Sequence, residues 1–189
     1  MYIIKNKYKI VGDTVILYLD KRNGEQLECF IDLEDLEIIS EMNVKWFSFW
    51  SKTANTYYAA ACQYNGSDGK GRSINGKTLY LHRILMDAKR HEYVDHINHD
   101  TLNNRKYNLR LTSNSKNNQH RKGANSNSST GVRNVNLINK YGGEKEYWVQ
   151  FQKEGERFKW EFPIDNFEEA CIFAEQKRKE LFGEFAGNG

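Results

Sequence analysis

Short runs of mostly apolar residues, separated by polar ones, occur near the start of the chain, and runs of this kind predict β-strands. Residues 14–19 combine β-branched and aromatic side chains, and Arg22-Asn23-Gly24, which follows, is typical of a turn. Residues 28–31 fit the returning strand of that hairpin, and residues 57–62 fit a further strand. The pattern predicts a β-rich segment over residues 1–75.

Strand patterns occur again near the end of the chain, where they predict a three-stranded antiparallel sheet. Residues 147–152 and 157–162 are the two clearest strands, with the turn residues 154–156 between them, and residues 131–137 supply an earlier strand. The side chains expected on the inner face of this sheet are Val149, Phe151, Phe158 and Trp160.

One helix follows this sheet. Asp165 and Glu168 form a capping box at its start, and Gly183 supplies the stop after about residue 182. Its apolar stripe consists of Phe167, Ala170, Cys171, Ala174 and Leu181. The helix is therefore expected to pack on the sheet, and the fold class is predicted to be α+β.

The middle of the chain has a different pattern. Residues 66–76 are rich in Gly, Ser, Asn and Lys and predict a loop, whereas residues 78–86 mix strand and helix spacing. Asp95 and His96 lie on a predicted strand, residues 109–112 on the returning strand, and Asn117 on a short helix. The predicted order is a hairpin followed by a helix.

Charge is concentrated in this middle block. Residues 70–122 hold 12 Lys/Arg against 4 Asp/Glu, a net charge of +8, and all five histidines. Residues 1–69 carry a net −3 and no recognisable site chemistry, and residues 123–189 carry a net −2. Such a local excess of cations is expected where a phosphate backbone binds, although a solvated basic face without a partner gives the same pattern.

Other features exclude several classes of protein. Cys29, Cys62 and Cys171 are far apart and form no C-x-x-C pair, so we expect no structural zinc site and interpret them as small apolar residues. No run of about 18 apolar residues predicts a membrane span. The N-terminal residues lack the pattern of a signal peptide, so an intracellular, cytoplasmic protein is expected.

Four side chains of the basic block have the chemistry that phosphodiester hydrolysis requires. Adjacent residues of a strand point to opposite sides, so Asp95 can reach a metal ion while His96 reaches a water molecule. A neutral imidazole accepts a water proton near neutral pH. Asn108 can hydrogen-bond either the imidazole or its loop, and the amide oxygen of Asn117 can complete a metal site.

Residues 78–122 resemble the HNH endonuclease family. The sequence motifs that carry the resemblance are Leu81-His82-Arg83, Val94-Asp95-His96-Ile97-Asn98, Asn103-Asn104-Arg105, Asn108-Leu109-Arg110 and Asn117-Asn118. The resemblance implies a ββα-metal fold with one Mg²⁺ or Mn²⁺ ion. It makes Asp95 and Asn117 metal ligands, His96 the general base and Asn108 its positioning residue, and it implies products with 5′-phosphate and 3′-hydroxyl ends.

Alternatives to these roles remain open. His99 and Asp100 compete with the Asp95-His96 pair but lack the same spacing to an Asn, and the ligand amide can be Asn118 in place of Asn117. His82 is interpreted as a structural residue or a phosphate contact. Asn104 is interpreted as a residue that stabilises the loop.

Residues 130–186 resemble the APETALA-type DNA-binding domain, in which a three-stranded sheet backed by one helix lies in the DNA major groove. The matching motifs are Gly131-Val132-Arg133 and residues 147–151, 167–170 and 181–186. Pro163 departs from the usual pattern. The resemblance places an outward, DNA-facing side on this sheet. The acidic residues of this segment are expected on the helix and the turns, away from that side.

Double-stranded DNA is therefore the expected partner. The basic block is expected to contact it through Arg83, Arg105, Arg110, Lys116, Arg121 and Lys122. The C-terminal segment is expected to contact it through Arg133, Trp148, Gln150, Gln152, Arg157 and Lys159.

The predicted organisation has four parts. A β-rich segment (1–75) precedes an HNH nuclease domain (76–122), a flexible linker (123–130) and an APETALA-type domain (131–189). Such modules occur together in phage and intron-encoded homing endonucleases. We therefore expect a site-selective DNA endonuclease, with a monomer favoured. The alternatives are an inactive DNA-binding regulator on the same scaffold and a nonspecific or RNA-directed nuclease.

Overall fold

The structure is a computed structural model that describes residues 4–63, 66 and 76–187. Within these residues it contains eleven strands and four α-helices, divided into two compact units, Met1–Ser113 and Asn114–Gly189. The mixed α+β class is confirmed. The predicted loop at 66–76 lies outside the described residues except for its first and last glycines.

A six-stranded sheet dominates the described part of the first unit. Its strands run in the order β1-β2-β4-β5-β6, and β3 pairs with the other edge of β2. Their bounds are β1 Tyr8–Val11, β2 Thr14–Asp20, β3 Gln26–Asp32, β4 Trp46–Ser51, β5 Thr56–Gln63 and β6 Lys77–Tyr80. The strands predicted at 14–19, 28–31 and 57–62 are confirmed as β2, β3 and β5, whereas β1 and β4 were not predicted.

The sheet continues from β2 to β4 through one buried side chain. These two strands pair in parallel only at Asp20 and Phe47. Asn6 bridges them, because its Nδ2 donates to Tyr18 O (2.9 Å) and Trp46 O (2.8 Å) while its Oδ1 accepts from Trp46 N (2.8 Å). The amide thus replaces missing strand-to-strand hydrogen bonds.

The core of this unit lies on one face of the sheet, under the helices α1 (Leu36–Glu41) and α2 (Leu81–Leu85). Leu17, Leu19 and Ile31 are fully buried there. Burial of one such side chain contributes about 1.5–3 kcal/mol. A separate antiparallel hairpin of β7 (Tyr93–His96) and β8 (Leu109–Thr112) completes the described part of the unit.

The second unit begins with the short helix α3 (Asn114–Gln119) and contains a three-stranded sheet within residues 114–187. The order is β11-β10-β9, with bounds β9 Val135–Asn139, β10 Lys145–Lys153 and β11 Glu156–Pro163, and α4 (Phe167–Phe182) packs against it. The core includes Val149 and Phe151, with Phe158 and Trp160 packed against it. The predicted inner face is therefore confirmed.

Two local predictions for this unit need correction. The capping box was predicted at Asp165 and Glu168, but α4 begins one residue later, after Asn166, whose Nδ2 donates to Glu169 Oε2 at 2.6 Å. The earlier strand begins at Val135, since the residues before it form turns. Gly183 does end the helix, with a positive φ of 53°.

Residues 123–130, predicted as a linker, lie within the second unit, and the boundary between the units falls between Ser113 and Asn114. The hydroxyl of Thr130 donates to Val135 O at 2.7 Å, so the end of this segment is bonded to the first strand of the sheet.

Candidate functional site

The hairpin of β7 and β8 positions the two adjacent residues that the sequence singles out. Asp95 pairs in register with Arg110, and His96 pairs with Leu109. Asp95 and His96 are both buried, with 7% and 5% of their surfaces exposed. Both side chains therefore act in a medium that strengthens electrostatic interactions.

Asn108 shapes the loop that joins these strands. Its Oδ1 accepts from Asn98 N at 3.0 Å, its Nδ2 donates to Asn103 O at 2.8 Å, and its own carbonyl accepts from Ile97 N at 2.8 Å. Of the two roles expected for this amide, the structure shows the hydrogen bonds to the loop.

The hydrogen bond to the imidazole comes from Asn104. Its Oδ1 lies 3.4 Å from His96 Nε2, a long contact for an N–H···O bond. Asn104 is fully buried, and its Nδ2 donates to Leu102 O (3.2 Å) and to Cys29 Sγ (3.2 Å). Asn104 therefore bonds the loop, as expected, and in addition contacts His96 and Cys29.

Strand β3 supports this loop. Phe30 N donates to Leu102 O (2.9 Å), and Phe30 O accepts from Asn104 N (2.7 Å). Asp32 makes no cap for the turn that follows it, and its two oxygens instead accept from Arg105 Nε (2.9 Å) and Lys106 N (2.7 Å). The loop therefore continues the hydrogen bonding of the sheet at the edge strand β3.

Aromatic rings surround His96. The ring centroid of His82 lies 5.2 Å away in an edge-on arrangement, and that of Tyr58 lies 6.2 Å away. Burial lowers the pKa of His96 below its usual value, and the contacts with Asn104 and Asp95 offset part of this effect. Burial also raises the pKa of Tyr58, to which the nearby charge of Asp95 adds. Burial thus favours the neutral form of His96.

Asp95 forms an ion pair with Arg110. One carboxylate oxygen, Oδ2, lies 2.8 Å from Arg110 Nε and 2.7 Å from Nη2. Only 13% of the Arg110 side chain is exposed. The pair orients the carboxylate, and it also engages one of the two oxygens that a cation would use.

The competing pair, His99 and Asp100, forms the turn after β7. His99 has a positive φ of 63° and donates through its backbone N–H to His96 O at 2.9 Å. Asp100 Oδ1 accepts from Leu102 N at 3.1 Å, which is an Asx turn. These contacts give both residues a role in shaping the loop.

Asn117 lies half-buried on α3, in the second unit, next to the exposed Asn118. Among the described residues no group of three or more His, Cys, Asp or Glu is arranged to hold a metal ion. A site of one carboxylate with amide oxygen and water nevertheless suits Mg²⁺, which usually keeps several waters. Asp95 and Asn117 each carry an oxygen donor of the kind that suits a hard cation, and their joint role as ligands stays a prediction.

Three of the arginines expected to contact DNA have partners within the first unit. Arg83 donates to Glu92 O (2.7 Å) and Lys89 O (2.8 Å) and folds the segment before β7, Arg105 pairs with Asp32, and Arg110 pairs with Asp95. Each has a structural role, and a phosphate contact by any of them stays a prediction.

Arg133 is buried in the second unit, with 5% of its surface exposed. Its guanidinium donates to Gln119 O (2.7 Å), Arg121 O (2.7 Å) and Ala186 O (3.1 Å), so it fastens the end of α3 to the C-terminal residues. Burial lowers its pKa to about 10. This set of contacts favours a structural role for Arg133. The other cations expected to contact DNA in this unit before the sheet, Lys116, Arg121 and Lys122, are exposed to solvent.

The outward face of the C-terminal sheet carries the remaining expected DNA contacts. In register, Gln150 pairs with Lys159 and Gln152 with Arg157, and these four side chains are exposed. Lys159 Nζ lies 4.1 Å from the ring centroid of Trp148. The face therefore presents amides, cations and an aromatic ring together, as expected.

Acidic residues also lie on that face, contrary to the prediction. Glu161 pairs in register with Trp148 and lies 2.6 Å from Lys159 Nζ. Glu146 accepts from Trp148 Nε1 at 2.5 Å. Strand register places both on the outward side, because side chains two apart on one strand, or paired across strands, share a face.

Sequence reasoning missed the contribution of the first 63 residues to this site. Cys29 on β3 contacts Asn104, and Tyr58 on β5 contacts His96. These contacts form only because the chain folds back on itself, since 75 residues separate Cys29 from Asn104. No local pattern signals such a contact.

No protein-family model, curated protein or solved structure matches this chain. The likeness to HNH endonucleases thus depends on the spaced motif. In the part of the chain that the structure describes, no helix has the length and apolar character needed to span a bilayer.

Proposed function

We propose that this chain is a metal-dependent DNA endonuclease of the HNH homing type. The observation that carries the proposal is the environment of His96, a buried imidazole beside a buried carboxylate, next to a loop fixed by two amides. An imidazole that burial keeps uncharged has a lone pair with which it can accept a proton, as a general base requires.

His96 acts as the base in this proposal. In its neutral form it accepts the proton of the water that attacks the phosphorus, while the loop held by Asn108 keeps the ring in place. As the resemblance implies, Asp95 and Asn117 would hold one Mg²⁺ or Mn²⁺ ion. When bound, the ion supplies charge neutralisation on the phosphoryl oxygens and help for the leaving oxygen. The products carry 5′-phosphate and 3′-hydroxyl ends.

DNA is the proposed substrate because of where the cations lie. The block 70–122 carries a net +8, and exposed cations there and on the outward C-terminal face attract the phosphate backbone. The mixture of amides and cations on that face suits the reading of base edges. A monomer nicks one strand, and two copies cut both.

Cleavage of a plasmid that carries the protein's own locus tests the proposal. We expect Mg²⁺-dependent cutting by the wild type, and loss of at least about a hundredfold in rate for His96→Ala, because the proton acceptor is gone. DNA binding, measured by fluorescence anisotropy, should stay nearly unchanged. His91→Ala, at an exposed histidine of the same block, is the matched control and should cut normally. Undiminished cutting by His96→Ala would remove the base from the mechanism.

One observation favours a second function, an inactive DNA-binding protein on the same scaffold. Arg110 engages Asp95 Oδ2 through two nitrogens, and this ion pair stabilises the carboxylate without a metal. Binding of the locus without cutting, in either Mg²⁺ or Mn²⁺, would establish this alternative.

A further inference from the structure

The amide of Asn104 has only one orientation that satisfies its surroundings. Its NH₂ group donates to Leu102 O and Cys29 Sγ, both at 3.2 Å. The reversed amide would place an oxygen against the Leu102 carbonyl, where two acceptors would repel each other. Oδ1 is therefore the atom that faces His96 Nε2.

The orientation of this amide determines which nitrogen of His96 carries the hydrogen. An amide oxygen only accepts, so a hydrogen bond to it requires a hydrogen on Nε2. A neutral imidazole has one N–H, so its other nitrogen, Nδ1, keeps its lone pair.

The amide is itself held by β3. Phe30 N donates to Leu102 O and Phe30 O accepts from Asn104 N, so two hydrogen bonds hold this backbone segment against the strand edge. Burial raises the pKa of the Cys29 thiol to about 12, so it remains a neutral acceptor. His82 packs edge-on against His96 and restricts rotation of the ring.

We propose that Asn104, oriented by Cys29 and Leu102, is the positioning residue that fixes His96 in its Nε2–H tautomer and leaves Nδ1 as the proton acceptor. The inference rests on the proposed nuclease function and deepens it. It moves the role of orienting the base from Asn108, which holds the loop, to Asn104, and it gives the N-terminal sheet a part in the site.

The tautomer is measured directly on the full-length, ¹⁵N-labelled protein. Long-range ¹H–¹⁵N correlation spectra at pH 7.5 distinguish a protonated from an unprotonated ring nitrogen, and His96→Gln assigns the signals. In the wild type we expect a single species with hydrogen on Nε2. In Asn104→Leu, which has nearly the same volume and no acceptor, we expect a mixture of tautomers and cleavage slower by about tenfold to a hundredfold, the usual effect of losing such a supporting residue.

Three further variants separate positioning from folding. Asn104→Asp retains an acceptor oxygen opposite Nε2 and should keep the hydrogen on that nitrogen, whereas its second oxygen faces Leu102 O and should lower the stability of the protein. Cys29→Ala should give a smaller shift in the same direction than Asn104→Leu. Asn103→Ala is the matched control, because this neighbouring side chain bonds Tyr107 Oη and Arg105 N and does not face the imidazole.

The outcomes distinguish this proposal from the nuclease function. A wild-type His96 with hydrogen on Nδ1, or with mixed tautomers, overturns the positioning role, as does an Asn104→Leu protein with unchanged spectrum and rate. A wild type that shows the expected tautomer and its loss in Asn104→Leu, but cuts no DNA, supports the role of Asn104 and refutes the nuclease.

Discussion

His82 is a buried imidazole whose Nδ1 has no hydrogen-bond partner in the part of the chain that the structure describes. Burial lowers its pKa from 6.5 to about 3, and the neighbouring His96 and Arg83 add to the effect. The folded protein therefore keeps this ring neutral at pH values at which the unfolded chain protonates it. The protonation of this one residue therefore makes the free energy of unfolding depend on pH.

We predict that this coupling disappears in His82→Phe. Between pH 6.5 and about 3 the unfolded state binds more protons than the folded state, so stability falls as the pH falls. From pH 7 to pH 5 the wild type should lose about 2 kcal/mol more free energy of unfolding than the variant. Urea unfolding at the two pH values measures this difference.

His91→Phe is the control for this experiment, since His91 is exposed. It should follow the wild type. Equal losses in the wild type and in His82→Phe would show that His82 is protonated in the folded state or is more exposed than its contacts indicate.

At the scale of elements, the β7–β8 hairpin is held by a buried ion pair across its two strands. Asp95 and Arg110 are register partners, with 8% and 13% of their side chains exposed. A buried pair adds little net stability over apolar residues, but removal of one partner leaves an uncompensated charge. The hairpin should therefore be destabilised less by removal of both charges than by removal of one charged partner alone.

A double-mutant cycle tests this prediction. Arg110→Met should lower the free energy of unfolding by about 3 kcal/mol, because Asp95 then lies buried without its counter-charge. Asp95→Asn combined with Arg110→Met should recover more than half of that loss. Chemical unfolding of all four proteins gives the coupling energy.

The neighbouring apolar register pair, Val94 and Leu111, is the matched control and should show a much smaller coupling energy. Additive losses at Asp95 and Arg110 would mean that the two charges do not depend on each other.

At the scale of the whole molecule, the outward face of the C-terminal sheet is the surface to which the proposed function assigns site selection. Gln150, Gln152, Arg157 and Lys159 are exposed there in two register pairs. Truncation of residues 130–189 would be a poor test, because it also removes Arg133, which bonds the end of α3. Substitution of the exposed side chains leaves that contact intact.

We predict that changing these four residues to Ala weakens binding to the locus at least about tenfold, since one good base contact contributes about 1–3 kcal/mol. Cut positions on the locus should spread, while cutting of nonspecific DNA should persist. Sequencing of the cut ends and anisotropy measure the two effects.

The control changes four exposed residues of α4 to Ala: Glu175, Gln176, Lys179 and Glu180. It should leave affinity and cut positions as they are. If the sheet variant behaved like this control, the outward face would have no part in recognition.

The sequence by itself determined the features that follow from local periodicity. Runs of strand-forming residues identified β2 and β10, and strict alternation identified β11, because the two-residue period of a strand places apolar side chains on one face. The same period identified the inner face at Val149 and Phe151. The spacing of Asp95, His96 and Asn108 brought these residues into one hairpin and its loop, since few residues separate them.

Only the tertiary structure decided which groups meet across long separations. Asn104 meets Cys29 across 75 residues, and Asn6 joins β2 to Trp46 across 40. Arg133 supports the end of α3 from a buried position, and Asp32 meets Arg105 across 73 residues. A buried polar group needs a hydrogen-bond partner, and the folded chain decides which partner lies within reach. No periodic pattern along the sequence encodes that choice.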